Sequence, residues 1–346
     1  MRRLKIIFLI LAAAALAVGT FAAGRWLRDN KIPNFSRAAE IYVYPGSSSD
    51  EVLDEISEAA GVKSRRSLER VFRKKRVAEY LTVGHYTVEP GNSSVYVARM
   101  LNNGWQTPVK LTLSGNLRLK GNIAAKVSSQ LLLDSASVRK AFDDDSLLAR
   151  YGFSSSNVFA LLMPATYEMY WTASVEDFLD RQKEAYDAFW TPGNDAKAEA
   201  LGLSRLEVST LASIVDAETN HDEEMPLIAG VYLNRLKLGM PLQADPTVAF
   251  CFDYGVSRIL NNHLQVDSPY NTYKYAGLPP GPICVPCRAA LEAVLNPDYG
   301  GEPGRGNLFF CADADFSGTH VFARTLREHN RNAAAYRRAL DSLQAQ

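Results

Sequence analysis

The sequence has no excess of charge of either sign. Its 346 residues carry 38 Lys and Arg against 38 Asp and Glu, a formal net charge of zero. Nucleic-acid binders carry a basic surplus that neutralises phosphates, so this balance argues against nucleic acid as a partner. Cysteine is also scarce, with four residues at Cys251, Cys284, Cys287 and Cys311. Cys284 and Cys287 make half of a zinc pattern, but no second closely spaced Cys or His pair completes it, and no metal is expected. The four read as small buried thiols or one disulfide. No fixed-period repeat and no low-complexity tract is present, which argues against a solenoid. Apolar residues make up 47% of the chain and charged ones 22%, a composition that allows a packed core. The length suits an anchor followed by two folded domains, or one domain with a small accessory module.

The anchor is the clearest physical signal. Arg2, Arg3 and Lys5 precede an uncharged apolar run from Ile6 to Gly24. At ~1.5 Å per residue this run reaches about 28 Å as a helix, close to the thickness of a bilayer core. Ala22-Ala23-Gly24 offers a small-residue cleavage site, but the run is long for a signal peptide, and an uncleaved span is the preferred reading. Cations stay on the cytoplasmic side, so the body is expected outside the cytoplasm. In block form the expectation is residues 1–28 as cytoplasmic tip and anchor, 38–106 as a small module, and 107–346 as a catalytic domain.

Beyond the anchor, residues 28–36 read as a polar stalk. Ile41–Tyr44 and Tyr86–Val88 are β-prone, with helices between them starting at Ser49 or Asp50 and continuing through a basic stretch around Arg70. That stretch reads as a solvated helix face. Ser93 or Ser94 opens a further helix that Gly104 stops. The β-α-α-β-α order describes a small α+β module. Val109–Leu113 is a strand, residues 122–133 and 137–150 are helices, and Pro164–Tyr167 is a turn-like break. Ser174 with Asp177 opens a long helix toward Trp190.

Ser204-Arg205-Leu206-Glu207 is a capping box that opens a helix to about Asn220. Val208, Leu211, Val215 and Glu218 share one face of it, so Glu218 ends an apolar stripe, and Asp216 points elsewhere. Partial burial raises the pKa of a carboxyl and lets it act as a general acid near neutrality. The competing reading is an ion pair with Arg235 on the next helix, which starts near Asp222 and includes Asn234. In the following loop Pro246 favours an extended Asp245, which would set Gln243, Asp245 and Thr247 along a polar rim. Tyr270-Asn271-Thr272-Tyr273 then leads into a proline-stiffened Gly277–Pro282 loop. Aromatic rings suit the C–H faces of sugars, and Asn and Thr suit their hydroxyl edges.

Three segments together resemble the YceG-like (MltG) family of endolytic murein transglycosylases. They are Leu211–Thr219, Leu242–Thr247, and Tyr270–Tyr273 with Gly277–Pro282, in the family's order and separations. Phe309–Asn330, with Asp313, His320, Phe322 and His329, resembles the family's C-terminal segment. The resemblance covers roughly residues 205–335, and the anchor and small module fit the family's membrane helix and LysM-like subdomain by layout. Two departures stand out. Asp216 stands where the family often has glutamate, and Leu161–Glu168 carries Ala165 where the family usually has an aspartate.

The resemblance implies an α+β fold with a membrane helix, a LysM-like module and a mixed α+β catalytic domain. It implies Glu218 as catalytic acid; Asn234, Arg235, Gln243, Asp245, Thr247, Tyr270, Asn271, Thr272 and Tyr273 are the expected substrate-binding set. The implied reaction cleaves the bond between N-acetylmuramic acid and N-acetylglucosamine within nascent strands, leaves 1,6-anhydro ends, and terminates strand growth. No cofactor is needed. The implied partners are glycan strands, the inner membrane and, as candidates, wall synthases, with the catalytic domain facing the periplasm. A two-carboxylate muramidase using Asp245, and a non-catalytic wall-binding scaffold, remain as alternatives.

Overall fold

A computed structural model describes residues 2–115 and 117–344. Met1 and Gln346, which bound the expected anchor and catalytic segments, lie outside the described residues, as do Asn116 and Ala345. The chain is mixed α+β and divides into two compact units. One comprises residues 1–111, 130–132 and 168–173, and the other residues 112–129, 133–167 and 174–346.

The first unit starts with α1 (Arg2–Asn30), whose apolar side chains are exposed along its length and which is long and apolar enough to cross a membrane. There follow β1 (Ala39–Val43), α2 (Ser49–Ala59), α3 (Arg65–Lys74), α4 (Val77–Tyr80), β2 (Gly84–Val88) and α5 (Ser94–Asn103). The strands pair antiparallel, from Ala39 opposite Val88 to Val43 opposite Gly84. Their inward residues Ile41, Val43, Tyr86 and Val88 close a core with Ile56, Leu68 and Leu101. Ser48 caps α2 in a reciprocal box with Glu51, one residue before the expected cap. Gly104 ends α5 in the left-handed conformation, with φ 63°. The expected stalk is instead part of this unit. Phe35 is fully buried, and Asp29 accepts bonds from Ser67 at 2.6 Å and from the Arg70 guanidinium. Arg65 and Arg76 of the basic stretch also pair with acids, Arg65 with Asp54 and Glu69 and Arg76 with Glu79.

The remaining elements are β3 (Val109–Thr112), α6 (Lys120–Ser128), α7 (Ser135–Ala141), α8 (Asp145–Ala149), β4 (Thr166–Met169), α9 (Val175–Phe189) and α10 (Pro192–Leu201). They continue with α11 (Arg205–Glu218), α12 (Met225–Lys237), α13 (Asp245–Phe250), α14 (Arg288–Leu295), β5 (Phe309–Ala312), β6 (His320–Ala323) and α15 (Leu326–Gln344). The helix expected over 122–133 is α6, which ends at Ser128, and three further expectations differ, besides one helix that was not foreseen. The helix expected over 137–150 is two helices, because the Asp144 carboxylate binds the amides of Ser146 and Leu147 and restarts the chain as a new cap. The break expected at 164–167 runs into β4, where Tyr167 and Met169 are buried and Thr166 and Glu168 exposed. The helix expected from Asp222 starts at Met225. Helix α10 was not anticipated, although Thr191 caps it, Pro192 opens it and Gly202 closes it.

In the second unit α11, α12 and α14 pack together. The Ser204–Glu207 box opens α11 as its sequence predicts. Every residue of α11 from Val208 to Val215 is buried, so this is a core helix rather than one with a single apolar stripe. Gly230 of α12 lies against the turn at Asp298, where an added Cβ would stand 2.0 Å from the Asp298 carbonyl oxygen. Strands β5 and β6 pair antiparallel, with Phe310 opposite Phe322 and Ala312 opposite His320.

Candidate active site

Helix α11 ends on Glu218, and Thr219 leaves the helix in an extended conformation with φ −142° and ψ 150°. Glu218 is partly buried and accepts a hydrogen bond of 2.6 Å from the Tyr232 hydroxyl on α12. Burial pushes its carboxyl up to about 7, and the nearby charge of Asp245 adds to that, while the Tyr232 hydrogen bond and the charge of Arg235 pull the other way. Near neutrality the group therefore stands between its acid and base forms, as a general acid that must also recover a proton requires.

Glu218 lies in a cleft of about 330 Å³ lined by Tyr232, Arg235, Leu242, Gln243, Asp245, Tyr273, Phe309, Phe310, Leu326 and His329. Arg235 is buried and is not committed to Glu218. Its Nε donates to the Leu308 carbonyl and its Nη1 to the Leu242 carbonyl, both at 2.7 Å, and its guanidinium lies over the Phe309 ring at 5.3 Å. It ties the cleft walls together while leaving a positive charge beside the site. The His329 ring stacks on Phe309 at 5.5 Å, and burial together with Arg235 lowers its pKa, which favours a neutral ring. Tyr273 donates to the exposed Asp245 at 2.6 Å.

The loop before α13 differs from its expected form. Asp245 is the first residue of α13, and Pro246 sits in the first turn, where a missing N–H leaves no helical bond unmade. The bend is made by Gln243 at φ 52°. Gln243 and Asp245 reach the cleft, whereas Thr247 is fully buried, donates to the Ala244 carbonyl at 2.7 Å and meets the Thr272 hydroxyl at 2.8 Å. The polar rim of three is thus a rim of two.

Of the anticipated substrate-binding residues, Arg235, Gln243, Asp245 and Tyr273 line the cleft with Glu218. Others hold the scaffold. Asn234 is buried, donates to the Asn307 carbonyl at 2.9 Å and accepts from the Gly304 amide at 2.6 Å. Asn271 donates to the Leu264 and Val266 carbonyls, and Thr272 accepts from the Ala244 amide. Tyr270 packs on Phe250 at 4.6 Å and lines a different hollow with Arg118 and Lys120. Sequence reasoning did not assign Tyr232, Phe309, Phe310, Leu326 or His329 to the site. Tyr232 lies three residues before Arg235 on one helix face, the one signal that could have found it.

Asp216 faces a separate hollow of about 550 Å³ with Arg118, Cys284 and Cys287. The four cysteines are thiols. Burial beside Asp216 raises the pKa of Cys284 and pushes that of Cys287 up to about 12, so both stay protonated.

The model of the YceG-like family matches residues 41–335. The chain belongs to the YceG-like family. A relative from Bacillus subtilis named endolytic murein transglycosylase is 28% identical over 92% of this chain and 90% of its own length. One of the same name from Streptococcus pneumoniae is 25% identical over 96% of this chain, which spans 65% of that longer protein. The crystal structure of a yceG-like protein from Listeria monocytogenes superposes with a TM-score of 0.56 at 27% identity, covering 85% of this chain and 98% of that one.

Proposed function

We propose that this protein is an endolytic lytic transglycosylase of peptidoglycan, and that Glu218 serves in turn as its acid and its base. The observation that carries this reading is a partly buried carboxyl with a pKa raised to about 7, hydrogen-bonded by Tyr232 in a cleft with Arg235 and the aromatic rings of Phe309 and Phe310. The names of the relatives support it. Glu218 gives its proton to the oxygen linking muramic acid C1 to the next sugar, and that bond breaks. The C6 hydroxyl of the same muramic residue then bonds to C1, and its proton returns to Glu218. No water is consumed, and the tethered hydroxyl has a high effective concentration. The remaining end is a 1,6-anhydro sugar, and cleavage within a growing strand would terminate its elongation.

Arg235, Gln243, Asp245 and Tyr273 are the cleft residues proposed to hold the strand. Residues 38–106 are proposed as a LysM-like module, supported by two paired strands with α2 and α3 between them in sequence. Helix α1 is proposed as a single membrane span with the body on the outer side, within reach of wall synthases.

Asp245 in the same cleft gives a second reading, a muramidase in which a second carboxylate activates water. Mass spectrometry of products from purified peptidoglycan decides between them. Anhydro ends, one water lighter than reducing ends, are expected, and reducing ends would mean hydrolysis. Glu218→Gln should cut the rate about 10²–10⁴-fold. Full activity in that variant would remove Glu218 from the chemistry.

A further inference from the structure

Glu224 lies outside the cleft, on the turn before α12, and is buried. Its carboxylate gathers three donors. Oε2 accepts from the Thr219 hydroxyl at 3.1 Å and meets the His320 ring Nδ1 at 3.1 Å, while Oε1 accepts from the His320 backbone amide at 2.5 Å. Thr219 is the residue immediately after Glu218, is itself buried, and also accepts from the His221 amide at 3.0 Å.

His320 opens β6, and its ring packs edge-on against Phe310 at 5.3 Å. Phe310 packs edge-on against Tyr232 at 5.9 Å, and Tyr232 holds Glu218. One buried carboxylate thus grips both sides of the Glu218–Tyr232 hydrogen bond, the chain that follows the acid and the strand pair that backs the phenol. We propose that Glu224 is a positioning residue for Glu218, fixing the end of α11 through Thr219 and the β5–β6 wall through His320 so that the acid and Tyr232 meet in one geometry. The inference rests on the reading of Glu218 as the catalytic acid.

A merely structural Glu224 would lower stability and the amount of active protein. A positioning Glu224 also changes the proton affinity of Glu218. The groups facing Glu218 are Tyr232 and Arg235 from α12, Asp245 from α13, Tyr273 from its loop and His329 from α15. Of these, Tyr232 supplies the hydrogen bond that favours the ionised form. Loosening that bond raises the pKa further, so the alkaline limb of the rate profile moves to higher pH.

The experiment compares the full-length protein in detergent with Glu224→Gln and Thr219→Val on glycan strands, measuring kcat, KM and the pH profile. Thr219→Val removes the hydroxyl but keeps the side-chain shape, and it decides the question if Glu224→Gln does not fold. The expected result is a fall in kcat of up to about 100-fold, the scale of a misplaced catalytic group. KM should hold, the alkaline limb should move up, and the double variant should be no worse than the more affected single one. Wild-type kcat and pH profile in Thr219→Val, or a loss of melting temperature alone, would overturn the proposal while Glu218→Gln stays inactive. Full cleavage by Glu218→Gln would instead overturn the reading of the site, and this inference with it.

Discussion

Glu218 carries a cost that the acid role proposed for it would explain. Its carboxyl has a pKa near 7 in the folded protein against about 4.5 for an ordinary glutamate, so the folded state holds a proton that the unfolded chain releases. Stability is therefore full below about pH 4.5 and falls as pH rises through about 7. At ~1.4 kcal/mol per pKa unit, the loss approaches about 3 kcal/mol above neutrality. Glu218→Gln cannot ionise, so it should be more stable than the parent at pH 8, with the difference closing by pH 4. Thermal melts of both proteins across that range check this, and a difference independent of pH would mean that Glu218 titrates like an exposed glutamate. For a residue in the proposed catalytic role, such a gain is the usual trade of activity against stability. The place of Glu218 was legible in the sequence, because it ends a helix with Val208, Leu211 and Val215 on the same face. Its partner was not. Tyr232 read as one more apolar position on α12, and only the packing of two helices turns its hydroxyl onto Glu218 at 2.6 Å. The same limit applies to Asn234 and Thr272, which were expected at the substrate but whose hydrogen bonds stay within the fold.

Secondary structure was readable at two helix starts that a local rule decides. The capping boxes of Ser174–Asp177 and Ser204–Glu207 start α9 and α11 at the predicted places, because a side chain three residues away satisfies the first amides. Asp245 shows where such rules compete. Proline disfavours a helical residue before it, yet the turn through Gln243 and Ala244 delivers Asp245 into the start of α13. Burial around α11 was also hidden, since Ser209, Thr210 and Ser213 look like a polar face. Ser209 and Thr210 bond to carbonyls of the preceding turn, Ser213 bonds to the Thr210 carbonyl, and all three are buried. A tight backbone contact is at Gly230, where α12 meets the Asp298 turn and the Asp298 amide donates to the Pro226 carbonyl at 2.9 Å. A methyl group there would drive into backbone, which cannot rotate aside. Gly230→Ala should therefore destabilise the protein by about 1–3 kcal/mol, the range for overpacking. Chemical denaturation reads this directly, and a neutral result would show that the turn can retreat from the helix.

At the scale of the whole molecule, the features outside the cleft concern where the protein stands. Helix α1 exposes Leu4, Ile6, Phe8, Leu9, Leu11, Leu16 and Phe21, an arrangement stable only in lipid or against other chains. The helix ends with half-exposed Trp26 and with Arg25 and Arg28, the residue types that settle at a membrane interface. Asp29, in the last turn of the same helix, is bound to Arg70 and Ser67, so the first unit grips the helix end without a loose tether. A protein built this way should remain in membranes after alkaline extraction and keep residues 1–28 in its mature mass. In the proposed orientation, with the cationic Arg2, Arg3 and Lys5 on the cytoplasmic side, protease added to spheroplasts should digest the body and leave a short protected fragment. A body that resists protease until the membrane is lysed would reverse the orientation and place the cleft away from the wall. A mature chain starting near Arg25 would make α1 a cleaved signal, and the Asp29–Arg70 pair would then cap a free N-terminus instead of an anchor.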